Sequence, residues 1–225
     1  MSFFDIAVVK KIAAFSAIRL REMYENTDNV KRGLIFPYYR KLTDSKGNLK
    51  LRISEQEARA IFISFLEDAI NECGYNICYS VETPTRLTYT GFAKQNGKTV
   101  EPKVYLNNSY GSSGSIDVSL FSADLKNPKY NIEFKCGNPE PQSFKKDLLK
   151  LYSEAAEGIW FHIYEGDKHS LKSIKDKLTT SRNVVISNCL KPITVFIVSV
   201  RKDKINNPPA LETYIMNPTG SLVKE

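Results

Sequence analysis

The chain has 225 residues, 42% hydrophobic and 25% charged, a balance that excludes disordered, collagen-like and disulfide-framework classes and leaves an ordinary globular protein. At this length it can bury a substantial core, as one domain with a smaller appendage or as two small ones. Formal net charge is +7, and residues 1–52 hold 11 Lys+Arg against 5 Asp+Glu, an excess that suits a polyanion partner or serves solubility alone.

In chain order, Ser2 and Asp5 form a capping box opening a helix through about Glu25. Ile12, Phe15, Ile18 and Met23 approximate its inward stripe, with Lys10, Lys11, Arg19 and Arg21 solvated. Residues 26–50 are polar and broken by Gly33, Pro37 and Gly47. Within them Phe36-Pro37-Tyr38-Tyr39-Arg40-Lys41 interleaves aromatics with cations, which suits either base stacking and phosphate contact or a loop packed by its own tyrosines.

A second helix starts at Ser54 and stops at Gly74, with Ala58, Ile61, Phe62, Phe65, Leu66, Ala69 and Ile70 inward. Two acids lie in its first turn. Glu55 extends the centre of the inward face, whereas Glu57, about 200° further round, fits the acid of a Ser54 capping box. Both also suit a helix N-terminus simply as exposed acids.

Tyr75 to Val81 reads as a strand with Glu82 to Thr85 as its exit, and Asn96-Gly97 as a hairpin turn. Asn107 to Gly114 is a polar loop whose backbone N–H groups suit a phosphate, or a plain turn. Next, Ile116, Val118 and Leu120 alternate with Asp117 and Ser119. After a polar turn over 122–129, Ile132 and Phe134 alternate with Glu133 and Lys135. The two arms form a hairpin that brings Asp117, Glu133 and Lys135 to one face. Two carboxylates and an ammonium on a face expected to be apolar are costly unless something binds there. The alternative is a structural Glu–Lys pair beside a turn Asp.

A helix follows from about Gln142 to Glu157, with Phe144, Leu148, Leu149, Leu151 and Tyr152 as its core stripe. Lys145, Lys146 and Lys150 flank that stripe, and Asp147 and Lys150 read as a surface pair of little worth. Ile159 to Tyr164 is a strand, 170–178 a short basic helix, Ile193 to Val200 a buried strand and Glu212 to Met216 one more. This order predicts an α/β sandwich around a mixed central sheet.

Cys73, Cys78, Cys136 and Cys189, with His162 and His169, show no zinc spacing, so reduced and largely buried thiols in a cytoplasmic protein are expected. The longest late apolar run, Ile193 to Val200, is too short to span a bilayer, and no membrane partner is expected.

Asp117, followed after a hairpin by Glu133-Phe134-Lys135, resembles the signature of the restriction-endonuclease-like, or PD-(D/E)XK, nuclease superfamily, with Ile116 in place of the namesake proline. The start of the 54–73 helix is similar to the first helix of many members, and SEQEAR, VETPT, IEFKCGNPE and GIWFHIY look like uncharacterised bacterial ones. The resemblance covers roughly residues 54–200. It divides the chain into a basic helical extension, 1–52, and a nuclease-like domain, 53–225, with a restriction-endonuclease-like core. It implies a Mg²⁺-dependent nuclease, with Mn²⁺ as substitute, hydrolysing phosphodiester bonds, in DNA, for defence or repair. Asp117, Glu133 and the Phe134 carbonyl would hold the ion, with Glu55 positioning a second ion or a metal-bound water. Lys135 would orient the attacking water or stabilise charge on the phosphate. Gln142 and Lys146 are phosphate-contact candidates by the same resemblance, while Lys10, Lys11, Arg40 and Lys41 are nucleic-acid candidates from charge. A homodimer is compatible with this reading. The alternative is a non-catalytic nucleic-acid-binding or assembly module that keeps the fold.

Overall fold

The computed structural model describes residues 4–25, 53–90, 94–95, 98–99, 103–105, 111–185, 191–201 and 209–225. Helix α1 (Ile6–Glu25) begins where Asp5 Oδ1 accepts from the backbone N–H groups of Ala7 (2.9 Å) and Val8 (3.2 Å). Asp5 is thus itself the N-cap, not the third-position acid of a box begun at Ser2, which lies outside the described residues. The buried line of α1 runs through Val9, Ile12, Ala13, Ser16, Ala17, Leu20, Met23 and Tyr24. Phe15 and Ile18, expected inside, are 46% and 50% exposed. The small residues Ala13, Ser16 and Ala17 give the face that packs, and a stripe drawn through the largest side chains misses it.

Helix α2 (Glu55–Cys73) starts as its sequence predicts: the Ser54 side chain accepts from the Gln56 N–H at 3.2 Å. It ends at Gly74, whose left-handed φ of 64° lets its N–H reach the Ile70 carbonyl at 3.0 Å. Strand β1 (Ile77–Thr90) runs straight through the exit expected at Glu82 to Thr85. A register shift against its partner between Pro84 and Thr88 absorbs the proline. There the buried Glu154 accepts from the freed N–H groups of Arg86 (3.3 Å) and Leu87 (3.1 Å).

Short strands β2 (Lys94–Gln95) and β3 (Lys98–Thr99) pair with each other, and β4 (Lys103–Tyr105) pairs with β1. Strands β5 (Ser112–Ser122) and β6 (Pro128–Cys136) are the expected hairpin, with β5 starting inside the loop predicted before it. Helix α3 (Pro141–Ser153), strand β7 (Glu157–Tyr164), helix α4 (Lys168–Val185), and strands β8 (Ile193–Ser199), β9 (Leu211–Met216) and β10 (Leu222–Lys224) complete the order. Helix α4 is longer than 170–178 and β10 has no counterpart in the sequence reading.

Among the described residues, eight strands make one sheet in the order β10-β9-β8-β7-β6-β5-β1-β4. Strands β6, β7 and β8 run parallel and the remaining pairs are antiparallel. The protein is α/β, with a mixed sheet covered by helices on both faces. On one face α1 and α2 pack Leu20, Phe62 and Leu66 against Val118, Ile132, Phe134, Phe161 and Phe196. On the other, α3 and α4 pack Phe144, Leu148, Ile174 and Leu178 against Trp160, Val195, Ile197 and Tyr214. Buried on both faces, β7 and β8 read as unbroken apolar runs. Contrary to expectation, Cys73 and Cys78 are exposed and Cys136 half-buried, none of them in a disulfide; Cys189 lies outside the described residues. Among the described residues no helix is long and apolar enough to cross a membrane.

Phe62 meets the rings of both Phe134 and Phe161 edge-on (5.8 and 6.0 Å between centroids) where α2 crosses the sheet. Phe62→Ala should therefore destabilise by about 3–5 kcal/mol, whereas Phe15→Ala should cost less than about 1 kcal/mol, since half of its surface is already in water. Urea unfolding of both variants measures this, and equal losses would put α1 the other way round.

Candidate active site

The hairpin is paired only part of the way. Its ladder runs from Phe121↔Pro128 to Val118↔Ile132. Beyond Ile132, β6 stays with β7, from Glu133↔Trp160 to Cys136↔Ile163, while β5 continues along β1. The two arms part, and among the described residues no strand covers this stretch of the β6 edge. Side chains take the place of the missing ladder: Asp117 Oδ2 accepts from the Phe134 N–H at 2.7 Å, and Glu55 Oε1 from the Cys136 N–H at 3.3 Å. Two carboxylates, one from β5 and one from the first turn of α2, thus hold alternate backbone donors. They line a cleft of about 130 Å³ together with Gln56, Arg59, Glu82 and Phe134.

Two chains of alternating charge fill the gap. In one, Arg59 pairs with Glu82 and lies 3.8 Å from Asp117 Oδ1. Glu82 also accepts from Ser115 Oγ at 3.1 Å, from a backbone φ of 50° that residues other than glycine seldom adopt. In the other, Lys135 Nζ lies 3.5 Å from Glu55 and 2.8 Å from Asp147 Oδ2. Lys150 Nζ lies 2.9 Å from Asp147 Oδ1 and meets Glu133 Oε1. Glu133, Asp147 and Lys150 are 2–3% exposed.

Burial pushes the carboxyls of Asp117 and Glu55 above their usual range, and pushes Glu133, with Asp147 beside it, well above. Burial also acts to raise Asp147, but the ammoniums of Lys150 and Lys135 outweigh it and hold that carboxyl below its usual range. Burial would lower Lys135; Asp147 and Glu55 more than offset it and keep the side chain cationic. Behind Lys135, burial lowers His162 to about 4. Its ring is neutral: Nε2–H donates to the Gly137 carbonyl (2.7 Å) and Nδ1 accepts from Trp160 Nε1–H (3.3 Å). His162 thereby secures the turn after Lys135.

Asp117, Glu55, Glu133 and Lys135 come together around this gap. The helical phase that sends Glu55 to the sheet holds. Glu57 does not act as the capping-box acid: it is buried and bonded to the Tyr24 hydroxyl of α1. Lys10 is paired with Glu225 at 2.6 Å and Lys11 lies over the Phe15 ring at 5.9 Å. Arg40 and Lys41 lie outside the described residues. Lys146 is exposed and Gln142 half-buried, and neither is among the residues that line the cleft.

The sequence reading misses Asp147 and Lys150, expected as a surface pair. Helix α3 instead turns that i, i+3 pair onto the sheet beside Glu133. The available signal was their phase: Asp147 and Lys150 flank Leu148 and Leu151 on the stripe that begins at Phe144.

The donors of the site fit a hard cation in chemistry. All are oxygens, and the five carboxylates outnumber Arg59, Lys135 and Lys150, leaving excess negative charge when all are ionised. As the side chains stand, each of the five carboxylates has one of these cations beside it, and among the described residues no three His, Cys, Asp or Glu groups converge as ligands of one ion.

Asp147 is the shared partner of the buried Lys150 ammonium and the half-buried Lys135 ammonium, so Asp147→Asn should cost about 3–5 kcal/mol near neutral pH. Because its carboxyl is lowered in the fold, its contribution is complete above the ordinary aspartate value and is lost as pH falls through the lowered one. The gap between wild type and variant should close in acid. Urea midpoints measured across pH test this, and a gap that persists in strong acid would contradict it. Compared with known proteins, the chain matches no family model, no curated protein and no solved structure.

Proposed function

We propose that this protein is a metal-dependent nuclease of the restriction-endonuclease-like type, acting on DNA. The observation that carries the reading is the parted hairpin: β6 leaves β5 at the point where Asp117, Glu133 and Lys135 are needed, and Asp117 and Glu55 reach its bare edge from opposite sides. Asp117, Glu133, Glu55 and the Phe134 carbonyl would hold the ion. Bound Mg²⁺ or Mn²⁺ would supply charge neutralisation at a phosphate and an activated water. Lys135, kept cationic by Asp147 and Glu55, suits stabilising negative charge on the phosphate rather than taking a proton from water. The net charge of +7 favours approach to a polyanion.

The second reading is a nucleic-acid-binding module without cleavage. Its support is the pairing of Glu133 with Lys150 and of Asp117 with Arg59, which gives both acids a counter-ion from within the chain.

Purified protein should cleave plasmid DNA with Mg²⁺ or Mn²⁺ and not with EDTA. Asp117→Ala, Glu133→Ala and Lys135→Ala should each slow cleavage by about a hundredfold or more. Full rates in all three would remove the assignment, and folded wild type inert on DNA and RNA would favour the module.

The two glutamates of α2 should separate by readout. Glu55→Gln should cut the cleavage rate with little change in melting temperature. Glu57→Gln should instead lower stability by about 1–3 kcal/mol, through the buried Tyr24 contact, with the rate of the folded fraction nearly kept. The reverse pattern would move the site role to Glu57.

A further inference from the structure

Lys150 is the cation whose burial needs a reason. Its ammonium sits among three oxygens from three elements. It donates to the Ser115 carbonyl on β5 at 2.7 Å, lies 2.9 Å from Asp147 Oδ1 on α3, and meets Glu133 Oε1 on β6. The last is an ion contact: Oε1 of Glu133, in a side chain 2% exposed, accepts no aligned hydrogen bond. The path of the lysine stem is built into the fold. A Cβ at Gly114 would stand 3.2 Å from Lys150 Cδ and 3.6 Å from Thr85 Cγ2, so a side chain there would press on the stem by a few tenths of an ångström. One carbonyl and two carboxylates around a buried positive charge are the donor class that a hard divalent ion takes. An ammonium fills such a cage with one charge where the ion would bring two.

We propose that Lys150 is a tethered counter-ion: it holds Glu133 while no divalent cation is bound, and withdraws onto Asp147 and the Ser115 carbonyl when Glu133 takes metal. This rests on reading Glu133 as a metal ligand. A buried carboxylate without a counter-charge is costly, so Lys150 keeps Glu133 in place beforehand. Its withdrawal strands nothing, because Asp147 and Ser115 are already its partners. Metal uptake is then an exchange of one cation for another. The apparent affinity is the intrinsic one scaled by the fraction of molecules in which Lys150 has left.

The test is calorimetric titration of the full chain with Mn²⁺, which reads binding without cleavage. Lys150→Met keeps the stem and removes the charge, and should tighten Mn²⁺ by at least about tenfold. Lys135→Met removes an equal charge from the same cluster without touching Glu133, and should give a smaller gain. The gain of Lys150→Met should vanish when combined with Glu133→Gln. Unchanged affinity in Lys150→Met, or equal tightening in Lys135→Met, overturns the proposal. If Lys150→Met does not fold alone, folding restored by Mn²⁺ supports it and no restoration overturns it. Tighter Mn²⁺ binding in a protein that cleaves nothing sinks the nuclease reading and leaves the counter-ion standing. Metal-dependent cleavage with affinity indifferent to Lys150 does the opposite. No Mn²⁺ bound by any of the chains removes both.

Discussion

A β-strand that loses its neighbour must find acceptors for its N–H groups, and at β6 the chain supplies them as charges. A third arm, or water, would satisfy the Phe134 and Cys136 amides equally well. Using Asp117 and Glu55 instead sets two carboxylates beside Glu82 in one small cleft and so crowds negative charge there. The placement of Arg59, Lys135 and Lys150 answers that crowding. The contact between α2 and β6, the inward phase of α3 and the left-handed Glu82 all serve the same few ångströms of opened edge.

Burying such a network is an odd use of sheet surface. The α3 face beside it carries Trp160 and Phe144, stacked at 5.2 Å, and a neutral His162 stacked on the same Phe144 at 5.6 Å. Apolar residues of similar volume at Glu133, Asp147 and Lys150 would be at least as stable by the usual measure of buried ion pairs. Stability therefore gives no reason for these residues to be charged.

The sequence was most informative where a residue's neighbours in the chain decide its surroundings. Ser54 as a cap, Gly74 as a stop and the apolar runs of β7 and β8 follow from period and turn chemistry alone. It was least informative where a partner far along the chain decides. The face of α1 is chosen by closeness of approach, so Ala13 and Ala17 lie inside and Phe15 outside. Glu57 is claimed by Tyr24, 33 residues earlier, which no capping rule foresees. Asp147 and Lys150 look like one more surface pair until the sheet beneath them is known to carry Glu133. The passage of β1 through Pro84 depends on Glu154 arriving from α3 to take the freed amides.

Helix α1 packs on α2 but also on β8 and β9, and Arg21 Nε donates to the Ser199 carbonyl at 3.0 Å across 178 residues. Helix α1 thus takes two of these three partners from strands that follow it by more than 160 residues. Until β8 and β9 emerge, the line from Val9 to Tyr24 can be covered only in part, by α2, and the rest is left for chaperones or for other chains to meet. Closing so distant a contact also raises the mean sequence separation of the fold, which acts to slow folding.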